Sequence, residues 1–137
     1  MRPASGENIL LTLLVGGLWG IGYVAVPVVF ATLDDKQLAG QLAGRLFSVG
    51  GGLGMASAAL FLLLSVLKER GQAWKNWTSR GVFVLACLLA VVQFGLMPDI
   101  AAARDAGLTH TENFKQLHQW ASAVYMAASV LGLAIVA

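Results

Sequence analysis

Charge is scarce in this sequence. Asp, Glu, Lys and Arg make up 12% of its 137 residues, nine basic against seven acidic. An ordinary soluble domain carries about 25%, so that class is excluded. Cysteine occurs once, at Cys87, which leaves no intrachain disulfide and no thiolate metal set. Set in an apolar run, it reads as a small core residue. There are two histidines, His110 and His118, with no His-x3-His pair and no Cys-x-x-Cys. A P-loop, a nucleophile motif and a glycine-rich dinucleotide fingerprint after a strand are also missing. The net charge of +2 comes with no basic stripe interleaved with aromatics, so nucleic acid is not an expected partner.

Apolar sequence fills the space, with 58% hydrophobic residues and a mean hydropathy of +0.74. Uncharged runs cover 9–33, 46–67, 81–98 and 116–137. About 20 apolar residues cross a hydrocarbon layer of roughly 30 Å as a helix. The expectation is therefore all-α: one integral membrane domain over 1–137, an antiparallel bundle of four transmembrane helices with the lipid bilayer as first partner. The expected spans are about 9–33, 46–67 with its helix starting near residue 36, 81–103 and 116–137. Arg2 ahead of the first run resembles a secretory signal. That run is too long for an h-region and has no persuasive cleavage site, so it reads as a retained helix.

Basic residues set the expected orientation. Arg2, Lys68, Arg70, Lys75 and Arg80 fall on one face, and Lys36, Arg104 and Lys115 on the other, with Arg45 at its boundary. The positive-inside rule then puts both termini in the cytoplasm of a bacterial inner membrane. Trp74 and Trp77 read as anchors at that interface.

Small residues recur at helical spacing. Thr12, Gly16, Trp19 or Gly20, Tyr23 and Pro27 form one face of helix one, predicted to point into the bundle. Gly16 and Gly20, Gly40 and Gly44, and Gly50 and Gly54 are GxxxG pairs, with Ala128 and Gly132 a looser one. In lipid such pairs admit a neighbouring helix, within the bundle or as a homo-oligomer or partner face. Asp34 or Asp35 is expected to cap helix two. Glycines 50–52 mark a plausible bend. Pro98 breaks or kinks helix three, Gly107 can end its extension, and Thr109 with Glu112 matches a capping box for helix four.

The polar residues converge on the outer end: Arg45, Asp99, Arg104, Asp105 and His118. Along helix four, His118, Ser122, Tyr125, Ser129 and Gly132 share one face. Such a stripe faces protein or water. It either hydrogen-bonds across the bundle or lines a ligand site made of Arg45, Asp99, His118, Ser122, Tyr125 and Tyr23. For Arg45 three readings stand: snorkelling to headgroups, a clamp to Asp99, Asp34 or Asp35, or a hold on an anionic group. His118 and His110 are the weak metal or haem ligands, with Glu112 or Asp99 beside them. No catalytic set is identified, since nothing in the spacing of Asp99, His118 and Tyr125 singles out a reaction.

The segments GYVAVPVVFATLDD (22–35), LAGRLF (42–47), MPDI (97–100) and FKQLHQWASAVY (114–125) together resemble the bacterial branch of the transmembrane-protein-205-like family, domain of unknown function 4149. The shared positions fall on Pro27, Arg45, Phe47, Pro98, Phe114 and His118. That resemblance implies a small four-helix membrane protein with no assigned activity. Its animal relative's link to platinum-drug resistance and vesicle traffic implies transport or membrane organisation by analogy. A more distant likeness reaches four-helix proteins that handle copper or haem, but the first three helices here carry no histidine, so no cofactor is expected. The expected function is a structural or partner-binding membrane subunit without enzymatic activity. The alternative is a transporter-like protein with a small-molecule or ion site at the outer end.

Overall fold

The computed structural model describes residues 5–137, and Arg2 lies outside the described residues. Among these the chain is all helix, without strands. The first rod contains α1 (Ser5–Trp19), a π turn (Gly20–Ala25) and α2 (Val26–Thr32). The second is α3 (Lys36–Glu69), 34 residues long and therefore about 51 Å at 1.5 Å per residue. The third contains α4 (Trp77–Ala90), a second π turn (Val91–Leu96) and α5 (Met97–Asp105). The fourth is α6 (Glu112–Val136). All four rods are long and apolar enough to cross a membrane.

Local chemistry explains the ends. Asp35 caps α3, its Oδ1 accepting from the N–H groups of Gln37 (2.9 Å) and Leu38 (3.1 Å), which satisfies donors the first turn leaves unpaired. The helix continues through glycines 50–52 without interruption. At the far end of α3, Arg70 and Gly71 take positive φ of 43° and 90°. α5 is closed just beyond its last residue by Gly107, with φ +72°. There the Gly107 N–H bonds to the Arg104 carbonyl and the Leu108 N–H to that of Ala103, the paired closure of a glycine C-cap. The N-cap of α6 is Thr111, whose hydroxyl accepts from the Phe114 N–H. The helix thus starts two residues later than the capping box at Thr109 predicts, and Phe114 at the third helical position leaves a single side-chain cap in place of a box.

The two π turns share one cause. Each ends two residues before a proline, at Pro27 and Pro98. Proline has no N–H for the carbonyl four residues back, and its ring crowds that carbonyl. Widening the helix relieves the contact. The Val26 N–H reaches the Ile21 carbonyl and the Met97 N–H that of Val92, both five residues back. Pro98 therefore widens the third rod without breaking it.

The rods touch in a ring: α1 against α3, α3 against α4, α4 against α6, and α6 against α1. Leu11, Leu14, Leu18, Phe61, Val82, Leu85, Leu89 and Ile135 form the core. It fills the end of the bundle that also holds the Lys68–Glu7 ion pair, 3.4 Å long. The buried face of α1 is Leu11, Leu14, Val15 and Leu18. The stripe through Thr12, Gly16 and Gly20, expected to point inward, is exposed. Four large aliphatic side chains at i, i+3, i+4 and i+7 fill more of the core than glycine and threonine can. Cys87, expected inside, is also exposed, facing away from the bundle.

Candidate functional site

The opposite end of the bundle, where the connections at Asp34 and Gly107 lie, is not filled. It holds a cavity of about 330 Å³ lined from all four rods. Its floor is small and apolar: Ala43, Val92, Ile100 and Ala121 are buried. Four aromatic rings, from Tyr23, Phe30, Phe47 and Tyr125, supply much of the wall. Arg104, His118 and Ser122 are its polar members besides the tyrosines.

Each wall residue is held by an identifiable contact. Tyr125 crosses from α6 to the first rod, where its hydroxyl donates to the Leu18 carbonyl. It lies beside Gly22, where an added Cβ would collide with the ring at Cε1. Leu18 and Gly22 are the partners of an ordinary i, i+4 helical bond, so the hydroxyl enters the helix where the π turn loosens it. Phe47 meets the Tyr125 ring edge-on at 5.1 Å, and Tyr23 stacks obliquely on Trp19 at 4.6 Å. The Trp19 indole N–H donates to the Ser129 carbonyl at 3.3 Å. Phe30 lies in the last turn of α2, where Lys36 Nζ donates to the carbonyls of Phe30 (2.8 Å) and Leu33 (3.1 Å). His118 lies parallel to Phe114, 6.1 Å away.

The serines of α6 bond within their own helix, Ser122 to the His118 carbonyl and Ser129 to that of Tyr125, each at 2.8 Å. Tyr125 is therefore the stripe residue that joins two rods by its side chain.

Arg104 is the residue sequence reasoning left outside the site. Its side chain lies across Gly40 and Gly44 of α3, where added Cβ atoms would stand 3.1 Å from Nε and 2.9 Å from Nη1. The Gln37 amide fixes that end of α5 by donating to the Arg104 carbonyl at 3.1 Å. Among the described residues the guanidinium makes no ion pair and no hydrogen bond. The signal available in sequence was a single basic residue at an alanine-rich helix end, opposite a GxxxG pair.

Of the expected site residues, the structure brings Tyr23, His118, Ser122 and Tyr125 to one cavity. Arg45 is exposed and lines an adjoining surface groove with Ser48, Gln93 and Asp105, which shares Gly44, Met97 and Arg104 with the cavity. It forms no ion pair among the described residues, so the clamp to Asp99, Asp34 or Asp35 is not made. One helical position separates Arg45 from Gly44, a rotation of about 100° that turns it off the cavity face. Asp99 is exposed and lines neither space. No group of three His, Cys, Asp or Glu side chains among the described residues is placed to hold a metal ion.

The glycines divide likewise. Gly50 faces Ile21, Gly54 faces Leu89 and Leu14, and Gly132 faces Val15 and Leu85. Nothing stands within 4 Å of a Cβ at Gly16 or Gly20.

Four apolar rods closed around an internal cavity define a multi-pass helical membrane protein. Residues 9–109 match the family model described as domain of unknown function DUF4149, and the chain belongs to that family. No curated protein and no solved structure matches it.

Proposed function

We propose that this protein is a non-enzymatic integral membrane protein that binds a small molecule in the cavity between its four spans. The carrying observation is the contrast between the two ends of the bundle: Leu14, Phe61 and Leu85 fill one, while Ala43 and Ala121 leave the other open. Ligand sites are concave, mostly apolar and carry a few placed polar groups, as here. We place the chain in a bacterial inner membrane as an antiparallel bundle, both termini cytoplasmic and the cavity near the outer face, supported by the distribution of Lys and Arg. Its resemblance to transmembrane-protein-205-like proteins agrees with a transport-related role.

Mass spectrometry of protein extracted gently from membranes tests the binding. Wild type should carry a co-purifying small molecule, and Ala121→Phe, which fills the cavity, should not. Identical spectra overturn the reading. Orientation is tested by impermeant maleimide on intact cells, with Cys87 replaced by alanine. Cysteine placed at Thr109 should label and cysteine at Gln72 should not.

A second reading, a partner-binding subunit or homo-oligomer, is favoured by the open face at Gly16 and Gly20, since small residues let helices approach closely in lipid. Disulfide trapping through cysteine at Gly16 would support it, and a strictly monomeric pattern would oppose it.

A further inference from the structure

We infer that the cavity takes a single-chain amphipathic anion, with a carboxylate or phosphate headgroup on Arg104 and an aliphatic chain along α6 towards Tyr125 and Met126; this rests on the binding reading above. Four observations lead to it. The first is the charge: a half-buried guanidinium with five N–H donors has no acceptor among the described residues, and such a group favours planar, bidentate contact with carboxylate or phosphate. Asp105, the next residue, attracts Arg104 through space, but it is exposed and forms no ion pair among the described residues, so the N–H donors stay without an acceptor.

The second is the apolar remainder. Ala43, Ile100, Phe47 and Met126 offer an aliphatic chain contact without hydrogen-bonding groups, so close packing against the chain is what this surface supplies.

The third is polarity. Arg104 is one residue from the end of α5, whereas Met126 lies eight residues beyond His118 on α6, about 12 Å deeper at 1.5 Å per residue. Charge at the end of the rods and apolar surface further in matches an amphiphile in one leaflet.

The fourth is access. The exposed lining residues Tyr23 and Phe30 belong to the first rod, and His118, Ser122 and Met126 to the fourth, so the mouth lies between those rods, facing the acyl region. A volume of about 330 Å³ is near the lower limit of ligand pockets, roughly 300–1,000 Å³, which suits one chain.

The test is calorimetric titration of purified full-length protein in neutral detergent. The probes are dodecyl phosphate, dodecanoate, dodecanol and inorganic phosphate, and the proteins are wild type, Arg104→Gln, Arg104→Lys and Ala121→Phe. Both anionic amphiphiles should saturate at one per chain, at least tenfold tighter than dodecanol or inorganic phosphate. Arg104→Gln should remove that preference while retaining dodecanol binding, and Arg104→Lys should restore part of it. Dodecanol binding as tightly as dodecyl phosphate overturns the headgroup assignment, and inorganic phosphate doing so overturns the chain. Should Arg104→Gln not fold, Gly44→Ala displaces the guanidinium instead, and an unchanged preference there overturns the proposal. Absence of binding by every probe, with Ala121→Phe indistinguishable from wild type, defeats the binding reading itself.

Discussion

Arg104 lies on Gly44: a methyl group at that glycine would stand 2.9 Å from Nη1. A sequence feature usually associated with two helix backbones in contact here accommodates a cationic side chain. The atom approached is the far end of a flexible chain, so the contact can be relieved by moving the guanidinium. Gly44→Ala should therefore keep the thermal midpoint at or above wild type, because alanine favours a helix over glycine by about 1 kcal/mol, while weakening binding of an anionic probe. Thermal denaturation in detergent beside titration with dodecyl phosphate separates the two effects.

Gly22→Ala should behave differently. Its new methyl would meet Cε1 of a ring held by its hydroxyl on Leu18 and by Phe47 at its edge. Overpacking against a fixed ring costs about 1–3 kcal/mol. Gly16→Ala, with nothing within 4 Å, is the matched control and should be neutral or slightly stabilising. Denaturant midpoints of the two variants in the same micelle check the difference.

Tyr125→Phe keeps the ring and deletes the hydroxyl that reaches the Leu18 carbonyl. Leaving that group unpaired in an apolar setting should lower stability by about 1–3 kcal/mol. Hydrogen exchange should rise across residues 20–25, since the hydroxyl pins the widened turn. Unchanged exchange there would show that Pro27 maintains the turn alone.

Ser79 offers a change in the other direction. It is 1% exposed, and its Oγ has no hydrogen-bond partner among the described residues. Ser79→Ala removes the buried, unpaired hydroxyl at little change in volume, so stability should rise by about 1 kcal/mol. A lowered thermal midpoint would contradict this assignment.

The helical content was legible because four uncharged runs leave no other way to satisfy backbone groups in lipid. Asp35 and Gly107 were legible because caps depend on neighbours within a few residues. The face of α1 was not: glycine and threonine at helical spacing look like a packing stripe, yet Leu11, Leu14, Val15 and Leu18 have the same period and more surface to bury. The polar stripe of α6 led to Tyr125, His118 and Ser122 at the cavity. From sequence, Arg45 is expected in the site and Arg104 is not; that Arg104 lines the cavity was not legible, because which of them turns inward depends on how α3 and α5 are rotated against each other, and the π turn at Val91–Leu96 shifts that rotation.

The two widened turns also set how the chain tolerates changes in length. A π turn holds one residue more than the α-helix would need over the same rise. Deleting a residue within 20–25 or 91–96 therefore keeps the flanking faces aligned, while returning Pro27 or Pro98 to its clash with the carbonyl four residues back. Adding one there, or removing one from the uninterrupted α3, would rotate everything beyond it by about 100°. The first and third rods thus carry slack of one residue each beside the cavity, and the second rod, which supports Arg104, has no such turn.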